Sequence, residues 1–159
     1  GIDTTVTLRV LDAATGEALA GAAVYLWHAD QDGLYSLYTK ADQNYLRGVQ
    51  EAGSDGTVTF TTAFPGAYDG RWPHMHFEVY PTLAEATAAG TPVSTSQLAI
   101  PEDICNLVYA TEGYEQSVSN MTRTTLSSDM VFSDGVDQQL PTVTGSLSEG
   151  VVLTLDVPV

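Results

Sequence analysis

Positive charge is scarce in this chain of 159 residues: four arginines and one lysine stand against 20 acidic side chains, a formal net charge of −15. A field of that sign repels nucleic acid and anionic membrane surfaces, so neither is expected as a partner. Cysteine is scarcer still. Cys105 stands alone, which excludes an intrachain disulfide. A chain of this length buries about 70% of its unfolded surface and needs no such staple. A lone cysteine reads as a small buried hydrophobe, and no histidine lies near it in sequence to serve as its base. No apolar run approaches the roughly 20 residues of a membrane-spanning helix. No leader is visible either. The chain enters a strand-like segment straight from Gly1, which fits a leader removed upstream.

What is present is short, β-branched and punctuated by turns. "TTVTLRVL" (4–11) alternates polar with apolar residues, as a half-buried strand does. "AAVYLWHA" (22–29) places Val24, Leu26 and His28 on one face and Tyr25 and Trp27 on the other. "DQDG" (30–33) signals a turn. "GSDGTVTFTT" (53–62), "HMHFEVY" (74–80), "QLAI" (97–100) and "VVLTLDV" (151–157) read as further strands. Helical signal is confined to "LAEATAAG" (83–90) and "PEDICNLVYA" (101–110), the latter with Pro at its start and acids in its first turn. Without repeats or a linker, this pattern predicts one domain over residues 1–159. The expected fold is all-β: an antiparallel sandwich with long loops and one or two short helices.

Histidine is also rare, and its placement is informative. Two of the three, His74 and His76, are one residue apart in a strand-like segment. Side chains at i and i+2 of a strand share a face, so the two imidazoles project together while Met75 and Phe77 face the other layer. Each imidazole has a nitrogen needing a partner, so the pair suits a metal ion better than a dry core. The residues alone leave the remaining ligands open. His28 would complete a three-histidine zinc site of a hydrolase or hydratase. Its neighbour Trp27 and its apolar strand equally fit a packed, hydrogen-bonded histidine. The chain also holds eight tyrosines, four of them between positions 35 and 68 around turns. A phenol has a reference pKa near 10, and a strongly Lewis-acidic ion such as Fe(III) would hold it as phenolate at neutral pH.

"DGLYS" (32–36), "NYLRG" (44–48), "DGTVTFTT" (55–62), "PGAY" (65–68), "RWPHMHF" (71–77) and "SQL" (96–98) occur in one order. Together they resemble the intradiol ring-cleaving dioxygenases, which act on catechol, protocatechuate or hydroxyquinol. The likeness spans roughly residues 4 to 157 and is densest from Trp27 to His76. It implies a mononuclear non-haem Fe(III) in a β-sandwich, with Tyr35, Tyr68, His74 and His76 as ligands. The residues themselves do not choose Tyr35 over Tyr38 or Tyr45; the motif does. The likeness further makes Arg71 and Gln97 pocket residues. The family often has Pro-Ala between that arginine and the first histidine, where this chain has Trp72-Pro73. It also lacks the N-terminal helical segment of the catechol 1,2-dioxygenases, and so resembles the compact, secreted bacterial branch.

The activity so implied uses a small aromatic diol and O2 and yields a cis,cis-muconate-type diacid. Tyr68 would act as a base and leave the iron as the diol chelates it, while Tyr35 and both histidines stay. Arg71, permanently charged, would stabilise negative charge accumulating on the substrate, and Gln97 would hydrogen-bond its oxygens. The expected particle is a monomer or weak homo-oligomer, secreted from the cell. Two other readings predict different observations. A zinc enzyme using His28, His74 and His76 would be colourless, and a non-enzymatic β-sandwich binding module would hold no metal.

Overall fold

Alternating Thr with Val and Leu gives the first strand one wet and one dry face, and the same device recurs along the chain. The computed structural model describes residues 1–159. Its elements follow in the order β1 (Asp3–Leu11), β2 (Ala23–Trp27), β3 (Arg47–Glu51), β4 (Thr57–Ala63), β5 (His74–Tyr80), α1 (Leu83–Thr87), β6 (Ser94–Ala99), α2 (Glu102–Tyr109), α3 (Glu115–Met121), β7 (Thr142–Ser146) and β8 (Gly150–Pro158). They form two four-stranded sheets, ordered β4-β1-β8-β7 and β3-β2-β5-β6. Val6, Leu8 and Val10 of β1 and Leu153 and Leu155 of β8 face Val24 and Leu26 of β2 and Met75, Phe77 and Val79 of β5, all buried. Each such side chain contributes roughly 1.5–3 kcal/mol when taken from water.

The expected sandwich is therefore present, with two refinements. One pairing runs parallel: β8 lies alongside β1, Thr4 opposite Val151 through to Leu11 opposite Pro158. Three helices occur rather than one or two. The strands that the sequence pattern misses are β3 and β7. "RGVQE" and "TVTGS" carry a single apolar residue each and are half exposed, so no period-2 signal exists. The missed helix, α3, buries Ser117, Asn120 and Met121, which make no apolar stripe.

The polar face of α3 has a structural task. Ala67 donates its N–H to Ser117 Oγ at 2.9 Å, and Asn120 Nδ2 donates to the Ala67 carbonyl at 2.9 Å. Tyr109 and Tyr114 donate their hydroxyls to the carbonyls of Pro65 (3.0 Å) and Phe64 (2.8 Å). The segment running from β4 into "PGAY" is thus fixed at almost every backbone group before it delivers Tyr68.

Candidate metal centre

Two loops and one strand build the centre. The first loop follows β2. Asp30 turns the chain: its Oδ1 accepts from the amides of Asp32 (3.0 Å) and Leu34 (2.9 Å), and its Oδ2 accepts from the Tyr45 hydroxyl at 2.6 Å. Tyr35 is then held by Thr39, whose Oγ1 accepts its N–H at 2.7 Å, and by Lys40, whose N–H donates to its carbonyl at 2.9 Å. The second loop crosses the first at two glycines. Gly66 donates to the Asp30 carbonyl at 2.8 Å, and a Cβ there would collide with the Gln31 carbonyl. Gly33 has φ +77°, and its α-carbon approaches so near that a Cβ would stand 3.2 Å from Tyr68 Cβ. Only this close passage lets both tyrosines meet the strand that carries the histidines.

The donor atoms converge on His74. Its Nδ1 donates to the Trp72 carbonyl at 2.6 Å. A carbonyl can only accept, so Nε2 carries no hydrogen and presents a lone pair. That lone pair faces Tyr35 Oη at 3.3 Å, Tyr68 Oη at 3.2 Å and His76 Nε2 at 3.1 Å. One lone pair can take one hydrogen, yet three polar atoms crowd it. The set is over-provided for hydrogen bonding and well provided for a cation. Two phenols and two imidazoles are the donors a ferric ion takes, so the residues fit the metal that the resemblance implies. Trp27 backs the site: its ring stacks on His76 with centroids 4.7 Å apart and planes 9° from parallel, and Tyr25 continues the stack at 5.3 Å.

Burial decides the protonation of these groups. It pushes His74 down to about 3 and His76 down to about 4, helped by the positive charge of Arg71. Both imidazoles are neutral at pH 7 and ready to ligate. Burial also drives the Tyr35 phenol well above its ordinary value, so a cation must compensate its phenolate.

Arg71 lies at the edge of the cluster. Its Nη2 donates to Gln97 Oε1 at 2.5 Å, and its Nε donates to Asp129 Oδ2 at 2.8 Å. Gln97 is no loose loop amide. It sits on β6 directly opposite His76 on β5, as Trp27 does on β2. A groove of about 620 Å³ opens beside His76 and Gln97, bounded by Ser94–Ser96 and residues 134–139; Tyr35, Tyr68, His74 and Arg71 do not line it.

The structure thus brings together Tyr35, Tyr68, His74, His76, Arg71 and Gln97. It does not bring His28 to them as a ligand. His28 Nδ1 donates to the Ala29 carbonyl at 2.7 Å, and Nε2 accepts from Thr62 Oγ1 at 2.8 Å. Both nitrogens are spent in the sandwich interior, and no three His, Cys, Asp or Glu side chains gather to hold a metal. The three-histidine zinc arrangement is corrected on that ground. Competing tyrosines are excluded likewise: Tyr38 is 65% exposed, and Tyr45 is bonded to Asp30. Cys105 is buried, and burial raises its thiol well above the usual range, as a packing role requires. Sequence reasoning missed Asp129, which has no local signal 58 residues from its partner, and Arg47. Arg47 donates to Ser36 Oγ (2.9 Å), the Ser36 carbonyl (2.7 Å) and Tyr25 Oη (3.0 Å), tying the Tyr35 loop to β2. It also missed the stacking role of Trp27, which pairing β2 with β5 around His76 would have suggested.

Residues 1–78 match a family model described as "Dioxygenase". Among characterised relatives, the chlorocatechol 1,2-dioxygenase of Pseudomonas putida is 32% identical over 84 residues, covering 41% of this chain and 32% of that protein. The hydroxyquinol 1,2-dioxygenase of Rhizobium sp. (strain MTP-10005) is 40% identical over 70 residues, 43% of this chain and 23% of that protein. The matches therefore span less than a third to a quarter of these relatives' lengths. Among solved structures, an intradiol ring-cleavage dioxygenase from Tetranychus urticae superposes with a TM-score of 0.83 at 29% identity, over 99% of this chain and 80% of that one. The dioxygenase domain of a dioxygenase and carbohydrate-binding protein fusion from Streptomyces sp. SirexAA-E gives 0.70 at 26%, over 100% and 80%.

Proposed function

This chain belongs to the intradiol ring-cleaving dioxygenase family, and from that premise we propose that it inserts both atoms of O2 into a catechol-type ring to give a cis,cis-muconate-type diacid. The observation that carries the reading is the convergence of two phenols and two imidazoles on one point beside a half-buried arginine. Tyr35, Tyr68, His74 and His76 would hold a non-haem Fe(III). When bound there, the ion would supply Lewis acidity to hold phenolates and an ionised diol.

The chain's own residues account for the rest. The backbone of Tyr35 is bonded on both sides, its N–H to Thr39 Oγ1 and its carbonyl to the Lys40 amide, which suits a permanent ligand. Tyr68 is followed by exposed Asp69 and Gly70, so the backbone beyond it is at the surface, and its oxygen is placed to take a proton from an incoming diol. Both imidazoles are neutral, and His74 is fixed in one tautomer by the Trp72 carbonyl, so neither competes for that proton. Arg71 holds a fixed positive charge beside the cluster, where anionic character develops on the substrate. Gln97 gives its carbonyl oxygen to Arg71, which leaves its NH2 free to donate to a substrate oxygen. Tight packing of Trp27 on His76 excludes water from that side.

We further propose that the protein acts outside the cell, a reading that rests on the resemblance alone; activity confined to the cytosolic fraction of its source would refute it. The test of the function is the visible spectrum of iron-loaded protein, recorded without oxygen before and after adding catechol, protocatechuate or hydroxyquinol. Tyrosinate-to-Fe(III) charge transfer should colour the protein red-brown, and a substrate should shift the band. A colourless protein carrying one iron per chain would refute the ligand set.

A further inference from the structure

We propose that Asp129 is the positioning residue of Arg71, fixing its guanidinium beside the phenol–imidazole cluster with one edge free for substrate. The carboxylate is fully buried, and the Arg71 side chain is only 12% exposed. Oδ2 accepts from Arg71 Nε at 2.8 Å and from the Trp72 amide at 2.8 Å. Oδ1 accepts from Arg71 Nη2 at 3.3 Å, the Val131 amide at 2.8 Å and the Phe132 amide at 3.3 Å. Five donors converge on one carboxylate. Burial alone would raise its pKa, but the arginine and the amides together hold it below the ordinary range, so it is ionised and pairs with Arg71 as a charge.

The consequence is a guanidinium with no rotational freedom. Asp129 takes the Nε edge and one face of Nη2, Gln97 takes the remaining Nη2 hydrogen, and the Phe132 ring packs 5.9 Å from Cζ. Nη1 is left with two hydrogens and no acceptor in the protein. A free arginine would sample many rotamers, and fixing it beforehand removes that cost from the reaction itself. The latch depends on this chain's own sequence. The residue after the arginine is Trp72, which, unlike a proline, has an N–H to give. Here that N–H binds the same oxygen as Arg71 Nε, while the Trp72 indole donates to the Ile100 carbonyl at 2.8 Å. Backbone and side chain of adjacent residues are thereby locked to one carboxylate carried by a segment 58 positions away.

This inference rests on the reading of Arg71 as the charge-stabilising group, and its test separates the two. Iron-loaded wild type, D129N, R71Q and the double variant are compared for kcat per bound iron and for KM with catechol. Asparagine keeps the shape and can accept from the Trp72 amide, but it turns an NH2 toward the guanidinium. D129N should lower kcat per bound iron about 10- to 100-fold with KM little changed, and it should have no further effect in the R71Q background. Unchanged kcat per bound iron in D129N overturns the inference, and so does a loss repeated in full on top of R71Q. Wild-type protein that consumes no oxygen with any catechol overturns the functional reading as well. A second measurement needs no variant: the crystal structure of the wild type with a bound nitrocatechol. Arg71 should remain bidentate on Asp129 with Nη1 turned to the ligand; an arginine swung off Asp129 overturns the proposal even where D129N does not fold.

Discussion

Replacing His28 by glutamine should flatten the acid side of the stability curve. His28 is buried in the sandwich, with Nδ1 donating to the Ala29 carbonyl and Nε2 accepting from Thr62. Burial lowers its pKa to about 4, with the Ala29 bond and the charge of Asp30 opposing the shift. In the unfolded chain an imidazole titrates near 6.5. Between those values the unfolded state binds more protons, so stability must fall as pH falls. The contribution is intact above pH 6.5, is eroded through the window, and changes no further below pH 4. From these two pKa values the loss is about 2 kcal/mol by pH 5 and on the order of 3 kcal/mol once complete. The assay is urea unfolding of wild type and His28→Gln at half-unit steps from pH 7.5 to 4.5. The baseline stabilities will differ, but the difference between the curves should narrow by about 2 kcal/mol from pH 7.5 to pH 5. His74, His76 and metal release are common to both proteins and cancel. Curves that stay parallel would show that His28 is not the buried neutral imidazole described.

The candidate metal centre offers sharper tests. His74→Ala and His76→Ala should each bleach the colour and abolish ring cleavage, and full iron occupancy in both variants would sink the ligand assignment. Tyr68→Phe should keep much of its iron and colour yet bind catechol slowly in stopped-flow mixing; if binding stays fast, Tyr68 is not the ligand that yields. Gly66→Ala drives a methyl into the Gln31 carbonyl, so it should cost roughly 1–3 kcal/mol and weaken iron binding by moving Tyr68 relative to Tyr35. An unaltered melting temperature would refute the close crossing of the two loops.

How much of this was legible depends on how local the signal was. β5 is legible residue for residue, because His74–Tyr80 alternates polar with apolar side chains and Met75, Phe77 and Val79 all face the core. Its register then accounts for the shared side of the two histidines. β3 and β7 were invisible because they are stabilised by neighbours rather than by apolar alternation. His74 and His76 are legible as a metal-suited pair from strand periodicity, whereas Tyr35, Tyr68, Arg71 and Gln97 come from motif likeness; in the fold, Gly33, Gly66 and Asp30 shape the close crossing that brings Tyr35 and Tyr68 to one imidazole. Asp129 and the anchors Ser117, Asn120, Tyr109 and Tyr114 could not be read from sequence. Each acts on a group at least 44 positions away, and a Ser, Asn or Asp on its own announces no partner.

Polar anchoring links this scaffold to its chemistry. The proposed ferric site, exchanging one phenol for substrate, would need its other donors rigid, and backbone hydrogen bonds and ring stacking around the candidate ligands would supply that rigidity. The loop carrying Tyr68 is clamped up to Ala67 by α2, α3 and the segment between them, and again from Arg71 onward by Asp129. The most direct measurement of the central claim is turnover of catechol by the iron-loaded protein under 18O2, with mass analysis of the acid formed. The account predicts a ring opened between the two hydroxylated carbons, with label from O2 in both new carboxyl groups. An acid labelled in neither carboxyl, or a ring opened outside the two hydroxylated carbons, would contradict it.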